Sequence, residues 1–396
     1  MNKSKAKVLL ISVIITCVLT SCAVRNEAVS EQYSLDCDDR FRATSNFAET
    51  EDAYITVSGD CLWYYDKQTG EAGVLCGKPA CQHTDNTCGG YVGENTMSLS
   101  YYGGRLYWVS TQPDGHAGYT LFSSALDGTD RKIIKRIDYA KIVHPYCPYE
   151  YRIHRGMVFQ IGIAPYIENG VPGKRLSVLS TKLSGDEDWT SVFEADYQGE
   201  ILFFSRFSGD SLYLGVSVIS GDTELEVIKL NCANVSVMQV YAAKGEELDD
   251  IYVDNDEQVY ISTKTANERA VYKIADGSLN KLFSYEDMRY SSVYFAGSLA
   301  VASFRDNEGK TNLLINDMSG NVFYQGPAPQ QYRGDMVVDP RGATREFCGG
   351  DESHFVINYG ENMLQDLFTV VYKIEFGDIT ETLICHREND VINHIQ

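Results

Sequence analysis

The residues best suited to chemistry in this sequence are three cysteines and a histidine that lie close together. The segment LCGKPACQHTDNTCGGY holds them within thirteen positions, as Cys76, Cys81, His83 and Cys88. Thiolates and imidazole are ligands that Zn²⁺ prefers, and four of them can close a tetrahedral structural site. The spacing departs from common zinc knuckles and ribbons, which begin with two intervening residues. The segment predicts a loop that is tied down, in the first place by a disulfide, with a structural zinc site on these four residues as the rival and free thiols as the remaining alternative.

The cysteine count constrains the disulfide alternative. The chain has 11 cysteines, of which Cys17 and Cys22 belong to the N-terminal targeting segment. The remaining nine are an odd number, so complete pairing within one chain is impossible. An exported chain is nevertheless in a compartment that permits disulfides, and both interpretations stay open.

Catalytic signatures are missing from the sequence. It contains neither a GxSxG nucleophile elbow nor an HExxH metal-binding pair, and its seven histidines are scattered. The 55 acidic residues will place some carboxylates near any groove by chance, so they do not locate a general acid or base. Whether the protein is an enzyme is therefore left undecided, with the balance against catalysis.

A ligand-binding surface is predicted from tyrosines in segments read as loops. Aromatic rings beside Gly, Pro and polar residues suit stacking on sugars or gripping an extended peptide. The candidates are Tyr146, Tyr149, Tyr151, Tyr166 and Tyr332. The alternative is that these rings cover the hydrophobic edges of the fold.

These residues must be positioned by a repeated β unit. Residues 248–286 contain four short runs of β-forming residues separated by polar turns, which is the size of one propeller blade. Strand, turn and strand recur along the chain with a turn residue after the third strand, listed here as Gly70, Gly128, Gly185, Asn234, Gly277, Gly320 and Gly377. The pattern predicts an all-β fold, a single propeller of about seven four-stranded antiparallel blades, with six or eight blades as variants and a pair of β-sandwiches as the alternative fold.

The first repeat lacks one strand in this interpretation. Either the end of the N-terminal tether or the C-terminal segment, residues 391–396, is expected to complete it. One blade cannot bury both faces, so every blade needs two neighbours.

The N-terminus reads as a targeting segment. Lys3, Lys5 and Lys7 precede a largely apolar stretch, residues 8–18, which is too short to span a bilayer. The following LTSC resembles a bacterial lipobox, which implies cleavage before Cys22 and a diacylglyceryl and palmitate anchor on that cysteine. The alternative is an ordinary secretory signal. The predicted organisation is a signal peptide (1–21), a lipidated cysteine and flexible tether (22–48), and a propeller domain (49–396).

The charge excludes one class of partner. A formal net charge of −21 disfavours nucleic acid, because binding to phosphates requires a basic surface. Charge also disfavours adsorption to anionic lipid headgroups, so membrane contact is expected through the lipid anchor.

Three stretches carry a resemblance to known repeats. LFSSALDGTDRKIIKRI, LWYYDKQTG and VYKIADG resemble the strand and turn signatures of TolB-like and YWTD-like propellers, particularly those of bacterial surface lipoproteins. The resemblance spans most of residues 50–390 and implies the fold. It also implies a cysteine-rich segment after the first blade, a recurring feature of those lipoproteins.

Anchor, charge and missing catalytic signature together predict a function class. We expect a lipid-anchored protein on the extracytoplasmic face of the cell membrane, which binds a glycan, peptide or partner protein without catalysis. The alternative is a propeller hydrolase or lyase that acts on an extracellular polysaccharide or peptide, because propellers host both kinds of function.

Overall fold

The computed structural model shows seven antiparallel sheets arranged as a propeller. It describes residues 39–93, 95–111, 118–138, 149–168, 171–184, 187–220, 223–285, 292–305, 311–329, 344–361, 366–375, 377–388 and 391–393. Each sheet is a meander of consecutive strands, which confirms the predicted fold class and the count of seven blades. Among these residues no helix is long and apolar enough to cross a membrane.

The first four blades follow one another along the chain. Blade 1 contains β1 (Phe47–Glu49), β2 (Ala53–Ser58), β3 (Cys61–Asp66) and β4 (Ala72–Val74). Blade 2 contains β5 (Met97–Tyr102), β6 (Arg105–Thr111), β7 (Gly118–Ser124) and β8 (Lys132–Asp138). Blade 3 contains β9 (Tyr149–His154), β10 (Met157–Glu168), β11 (Val171–Lys182) and β12 (Thr190–Tyr197). Blade 4 contains β13 (Glu200–Ser208), β14 (Ser211–Ile219), β15 (Glu224–Asn231) and β16 (Ser236–Lys244).

Three further blades complete the ring. Blade 5 contains β17 (Glu247–Val253), β18 (Val259–Lys264), β19 (Arg269–Ala275) and β20 (Ser278–Tyr285), the unit recognised in the sequence. Blade 6 contains β21 (Ser292–Ala296), β22 (Leu299–Arg305), β23 (Thr311–Asp317) and β24 (Val322–Pro327). Blade 7 contains β25 (Thr344–Asp351), β26 (His354–Glu361), β27 (Asp366–Glu375), β28 (Asp378–Glu388) and β29 (Val391–Asn393), a fifth strand at its outer edge.

The hydrophobic core is divided among the seams between blades. Each core cluster of described residues joins two adjacent blades; one, for example, packs Phe159 and Ile161 of blade 3 against Leu212 and Leu214 of blade 4. Within a blade, burial falls from the inside outward. The second strand of blade 4 is buried along almost its full length, whereas its fourth strand is mostly exposed. Because the core lies between blades, no blade is stable alone.

The turn between the third and fourth strands recurs with the same backbone geometry. Its glycine takes a positive φ in five blades, at Gly70, Gly128, Gly277, Gly320 and Gly377. The left-handed conformation lets the chain reverse tightly, which glycine does without steric cost. One of these turns also approaches the preceding blade closely: a Cβ at Gly128 would lie 2.4 Å from the Leu75 carbonyl oxygen of blade 1.

The end of the predicted tether supplies the strand that the first repeat lacked. Residues 47–49 pair with β2 as the first strand of blade 1, while residues 391–393 add to blade 7. Residues 39–46 also pack inside the propeller, as described below. The predicted domain boundary at residue 49 is therefore too late, because the chain from residue 39 onward is part of the folded body. The signal peptide, Cys22 and residues 23–38 lie outside the described residues.

Candidate functional site

The N-terminal segment, residues 39–46, lies in the central channel among the first strands of the blades. Phe41 forms an antiparallel bridge with Gly349 of blade 7. The Arg42 amide donates to the Cys348 carbonyl at 2.7 Å, and the Arg152 guanidinium of blade 3 donates to the Phe41 carbonyl at 2.6 Å. Main-chain and side-chain bonds from opposite parts of the ring thus hold this segment, which we call the channel segment.

The channel segment runs antiparallel to the first strands. At its start, the carboxylate of Asp39 accepts from the amide of Phe207, near the end of β13. At its far end, the Asn46 side chain donates to the Thr96 carbonyl, immediately before β5 begins. The segment therefore enters at the end of the channel where first strands finish, and it leaves at the opposite end, which we call the mouth.

Arg42 is the central contact of the channel segment. Its guanidinium forms an ion pair with Asp250 of blade 5 at 3.1 Å. It also lies over the rings of Phe204 in blade 4 and Tyr294 in blade 6, 4.8 Å and 4.6 Å from their centroids. Burial lowers the pKa of Arg42, but Asp250 and its other neighbours more than offset this and leave the pKa raised. One buried cation thus joins three blades.

Asp39 lies at the end of the channel opposite the mouth, and its pKa is raised. Burial raises the pKa of Asp39 to about 6, although Arg152, Arg206 and the amide of Phe207 act to lower it. The carboxylate lies 3.6 Å from the Arg152 guanidinium. Holding this group ionised in the channel therefore costs free energy above about pH 6.

A cavity of about 140 Å³ opens beside the channel segment near the mouth. Its lining combines Arg42, Thr44, Glu150 and Ile163 with residues 201–206 of blade 4. Glu150 accepts a hydrogen bond from the hydroxyl of Ser205 inside this cavity. The volume is below that of a typical pocket for a drug-sized molecule, so it suits a single sugar or amino-acid unit.

A long hairpin rises beside this cavity. Its strands β10 and β11 pair over their whole length, from Met157 with Lys182 to Glu168 with Val171. The assignment of Tyr166 to a loop is therefore wrong, because the β ladder continues through this position and pairs it with Gly173. Ile167 near the tip is 77% exposed, an apolar side chain beside the mouth.

The predicted ligand-binding tyrosines do not form one site. Tyr151 lies on β9 and is 3% exposed in the core between blades 2 and 3, so its assignment to a loop is wrong. Tyr149 lies on the same strand, whereas Tyr146 and Tyr332 are outside the described residues. Tyr166 is half-buried on the hairpin, where it accepts from Gln198 at 2.9 Å and stacks on Arg175.

The cysteine segment does converge. The ligand atoms of Cys76, Cys81, His83 and Cys88 all lie within 4.8 Å of one another, and no disulfide links the described cysteines. The Nδ1 atom of His83 is 3.2 Å from the sulfur of Cys88. The segment follows β4 and folds back on blade 1, where Tyr91 bridges to Cys61. We call these four side chains the Cys₃His cluster.

Two features around the cluster were not expected from the sequence. Cys61 comes from the start of β3, and its thiol lies 3.5 Å from the His83 carbonyl; burial raises its pKa to about 12. Arg131 reaches across from blade 2 and donates to the carbonyls of Gly89 at 2.9 Å and of Tyr91. The sequence around Cys61 and Arg131 does not link either residue to the cluster, because the packing of blades 1 and 2 brings them there.

The channel contacts were also missed. Arg42 belongs to a segment that reads as a polar tether, and Asp250 belongs to an ordinary strand. The only local signals were the strand missing from the first repeat and the apolar Phe41 and Phe47 inside an otherwise polar segment.

Comparison with solved structures finds the same fold at low sequence identity. A crystal structure of puromycin hydrolase matches with a TM-score of 0.52 and 14% identity, over 89% of this chain and 55% of that one. A prolyl endopeptidase matches with a TM-score of 0.50 and 12% identity, over 94% of this chain and 54% of that one. TolB from Acinetobacter baumannii matches with a TM-score of 0.40 and 14% identity, over 86% of this chain and 80% of that one.

These likenesses concern the fold alone. The chain spans about half the length of the puromycin hydrolase and of the prolyl endopeptidase. No protein-family profile and no curated protein sequence matches it.

Proposed function

We propose that the protein is a lipid-anchored, extracytoplasmic binding propeller that takes one unit of a glycan or peptide chain into the cavity beside Arg42 and Glu150. The observation that carries this proposal is the course of the channel segment. It fills the channel from the end opposite the mouth and leaves a small polar and apolar cavity close to where β9 and β13 begin.

The anchor is consistent with this geometry. Sixteen residues, 23–38, separate the proposed lipidated Cys22 from Asp39, and a fully extended chain of this length reaches roughly 55 Å. The folded body begins at the channel end remote from the mouth. A tether attached there leaves the mouth facing away from the membrane, which suits capture of an extracellular chain.

The character of the mouth supports a polymer ligand rather than an isolated small molecule. The cavity holds a single unit, its lining residue Leu202 is 38% exposed, and Ile167 of the hairpin adds exposed apolar surface beside the mouth. Glu150 and Thr44 can accept or donate hydrogen bonds to a hydroxyl or an amide. The net charge of −21 favours neutral or basic ligands and disfavours nucleic acid.

A binding screen with matched variants tests the site. Protein lacking residues 1–22 is applied to glycan and peptide arrays, and each hit is measured again with Leu202→Glu and Met238→Glu. Met238 is 56% exposed on the outer strand of the same blade, so it controls for an added charge. We expect Leu202→Glu to weaken binding roughly tenfold or more, because it places a carboxylate at the cavity, while Met238→Glu binds normally.

Two results would contradict this function. Equal binding by both variants would place the ligand elsewhere on the propeller. Cleavage of a bound polymer, detected by product analysis on each hit, would replace binding with the hydrolase or lyase alternative.

The anchor has its own test. Metabolic labelling with a palmitate analogue should mark the native chain and not Cys22→Ala, since the acyl chains are expected to attach through that cysteine. Equal labelling of both proteins would refute lipidation at Cys22 and leave the binding proposal to be judged by the arrays.

A further inference from the structure

We propose that Cys76, Cys81, His83 and Cys88 bind one zinc ion, which fixes the segment between β4 and β5 against blades 1 and 2. This inference does not depend on the binding function above, because it concerns how one seam of the ring is held.

The separation of the ligand atoms fits a single tetrahedral ion. Ligands about 2.3 Å from zinc at tetrahedral angles lie about 3.8 Å from one another. The four ligand atoms lie within 4.8 Å of one another, so shifts of about 1 Å bring them onto a common ion. Three sulfurs and one imidazole nitrogen form a donor set that zinc selects over harder cations.

Convergence of all four side chains favours a metal over a disulfide. A disulfide would use two of the three sulfurs and leave the third cysteine and His83 without a reason to point inward. The backbone between them is also specially shaped, since Ala80 and His83 take positive φ values of 58° and 57°. Such left-handed residues cost free energy, and zinc coordination would offset it.

The surrounding charge also suits an occupied site. Three thiolates, a neutral imidazole and Zn²⁺ carry a net charge of −1. The guanidinium of Arg131 lies behind the cluster and donates to the Cys88 and Gly89 carbonyls at 3.3 Å and 2.9 Å. A cation from blade 2 therefore faces an anionic centre on blade 1.

Apolar burial contributes little to the order of this segment. Residues 77–80, 82 and 84–87 are exposed, and the side chains turned inward are those of the cluster. Ordering such a segment costs conformational entropy that apolar burial does not offset here. A zinc ion supplies the missing cross-link, as it does in small domains with weak cores.

The experiment measures metal directly in the full-length protein, extracted in detergent and purified under reducing conditions. We expect about one zinc per chain, and cobalt in its place should give the intense ligand-field bands of a tetrahedral thiolate site. Zinc should also protect Cys76, Cys81 and Cys88 from alkylation. Cys232, a half-buried cysteine in blade 4, is the internal control and should react equally with and without zinc.

Substitutions test which side chains bind the zinc ion. Cys76→Ser and Cys88→Ser should weaken zinc binding roughly tenfold or more, while Cys232→Ser keeps wild-type affinity. His83→Cys should retain the metal and move the cobalt bands, because a fourth thiolate replaces the imidazole. If a serine variant fails to fold, the cobalt spectrum and the alkylation pattern of the wild-type chain still decide.

Three results would overturn the proposal. The first is a cobalt spectrum without thiolate character in wild-type protein. The second is alkylation of the three cysteines that zinc does not slow. The third is a disulfide between two of them in protein isolated from its own compartment, detected by mass spectrometry without reduction.

Discussion

The ion cluster that joins the last blade to the first makes a quantitative prediction for His354. Its Nε2 atom lies 3.0 Å from the Glu49 carboxylate of blade 1, and its Nδ1 atom lies 3.2 Å from Asp351 of blade 7. The side chain is buried, 5% exposed, beside the rings of Phe41 and Tyr54. This is the seam at which the two ends of the chain close the ring.

The magnitude follows from the pKa of the imidazole. Burial lowers the pKa of His354, but the carboxylates of Asp351 and Glu49 more than offset it and raise the pKa from 6.5 to about 9. A rise of this size corresponds to about 3 kcal/mol of folding free energy. Because the folded-state pKa is the higher one, the contribution is complete below about pH 6 and is lost as the pH rises through about 9.

The perturbation is His354→Asn, and the assay is urea unfolding at a series of pH values. We expect the variant to be less stable than wild type by about 3 kcal/mol or more near pH 6, and the part of this difference due to charge to vanish by about pH 10. Glu352→Gln is the control, because it removes a neighbouring carboxylate that accepts from the Ser298 amide instead of contacting His354.

The decisive quantity is the pH dependence of the difference in unfolding free energy. If wild type and His354→Asn differ by the same amount from about pH 6 to pH 10, the protonated imidazole does not stabilise the closure, and the reasoning is refuted. The same conclusion follows if Glu352→Gln shows the pH dependence expected of His354→Asn.

Three further predictions concern the channel segment. Arg42→Ala should lower the urea unfolding free energy by about 1 to 3 kcal/mol, because it removes one partner of the buried Asp250 while Arg206, 3.4 Å from the same carboxylate, remains; an unchanged stability would contradict this. Gly349→Ala should release the segment to protease cleavage, since its Cβ would lie 2.0 Å from the Arg40 carbonyl, whereas Gly277→Ala, with nothing within 4 Å, should not. Protease access to residues 39–46 should rise from about pH 5 to pH 8 as Asp39 ionises, because its folded-state pKa of about 6 exceeds the ordinary 3.8; an unchanged rate of cleavage would count against it.

The repeat could be recognised from the sequence because its determinants are local. Short runs of β-forming residues and a glycine in the tight third turn recur in each blade, and both depend on the conformational preferences of a few neighbouring residues. The convergence of Cys76, Cys81, His83 and Cys88 was foreseeable for the same reason, since residues this close in sequence can meet within one loop. The lining of the cavity was not foreseeable, because its residues come from the channel segment and from blades 3 and 4, which lie far apart in the sequence.

The tertiary structure alone decided what lies in the channel and at the seams. Arg42 meets Asp250 and Tyr294 only because the ring brings blades 5 and 6 to the axis, more than 200 residues along the chain. Tyr151 is a polar-tipped aromatic in a polar stretch, yet its strand position turns the ring into the core. The sequence encodes the strands through local propensity and patterning, whereas contacts between distant residues depend on how the blades close, which no local pattern records.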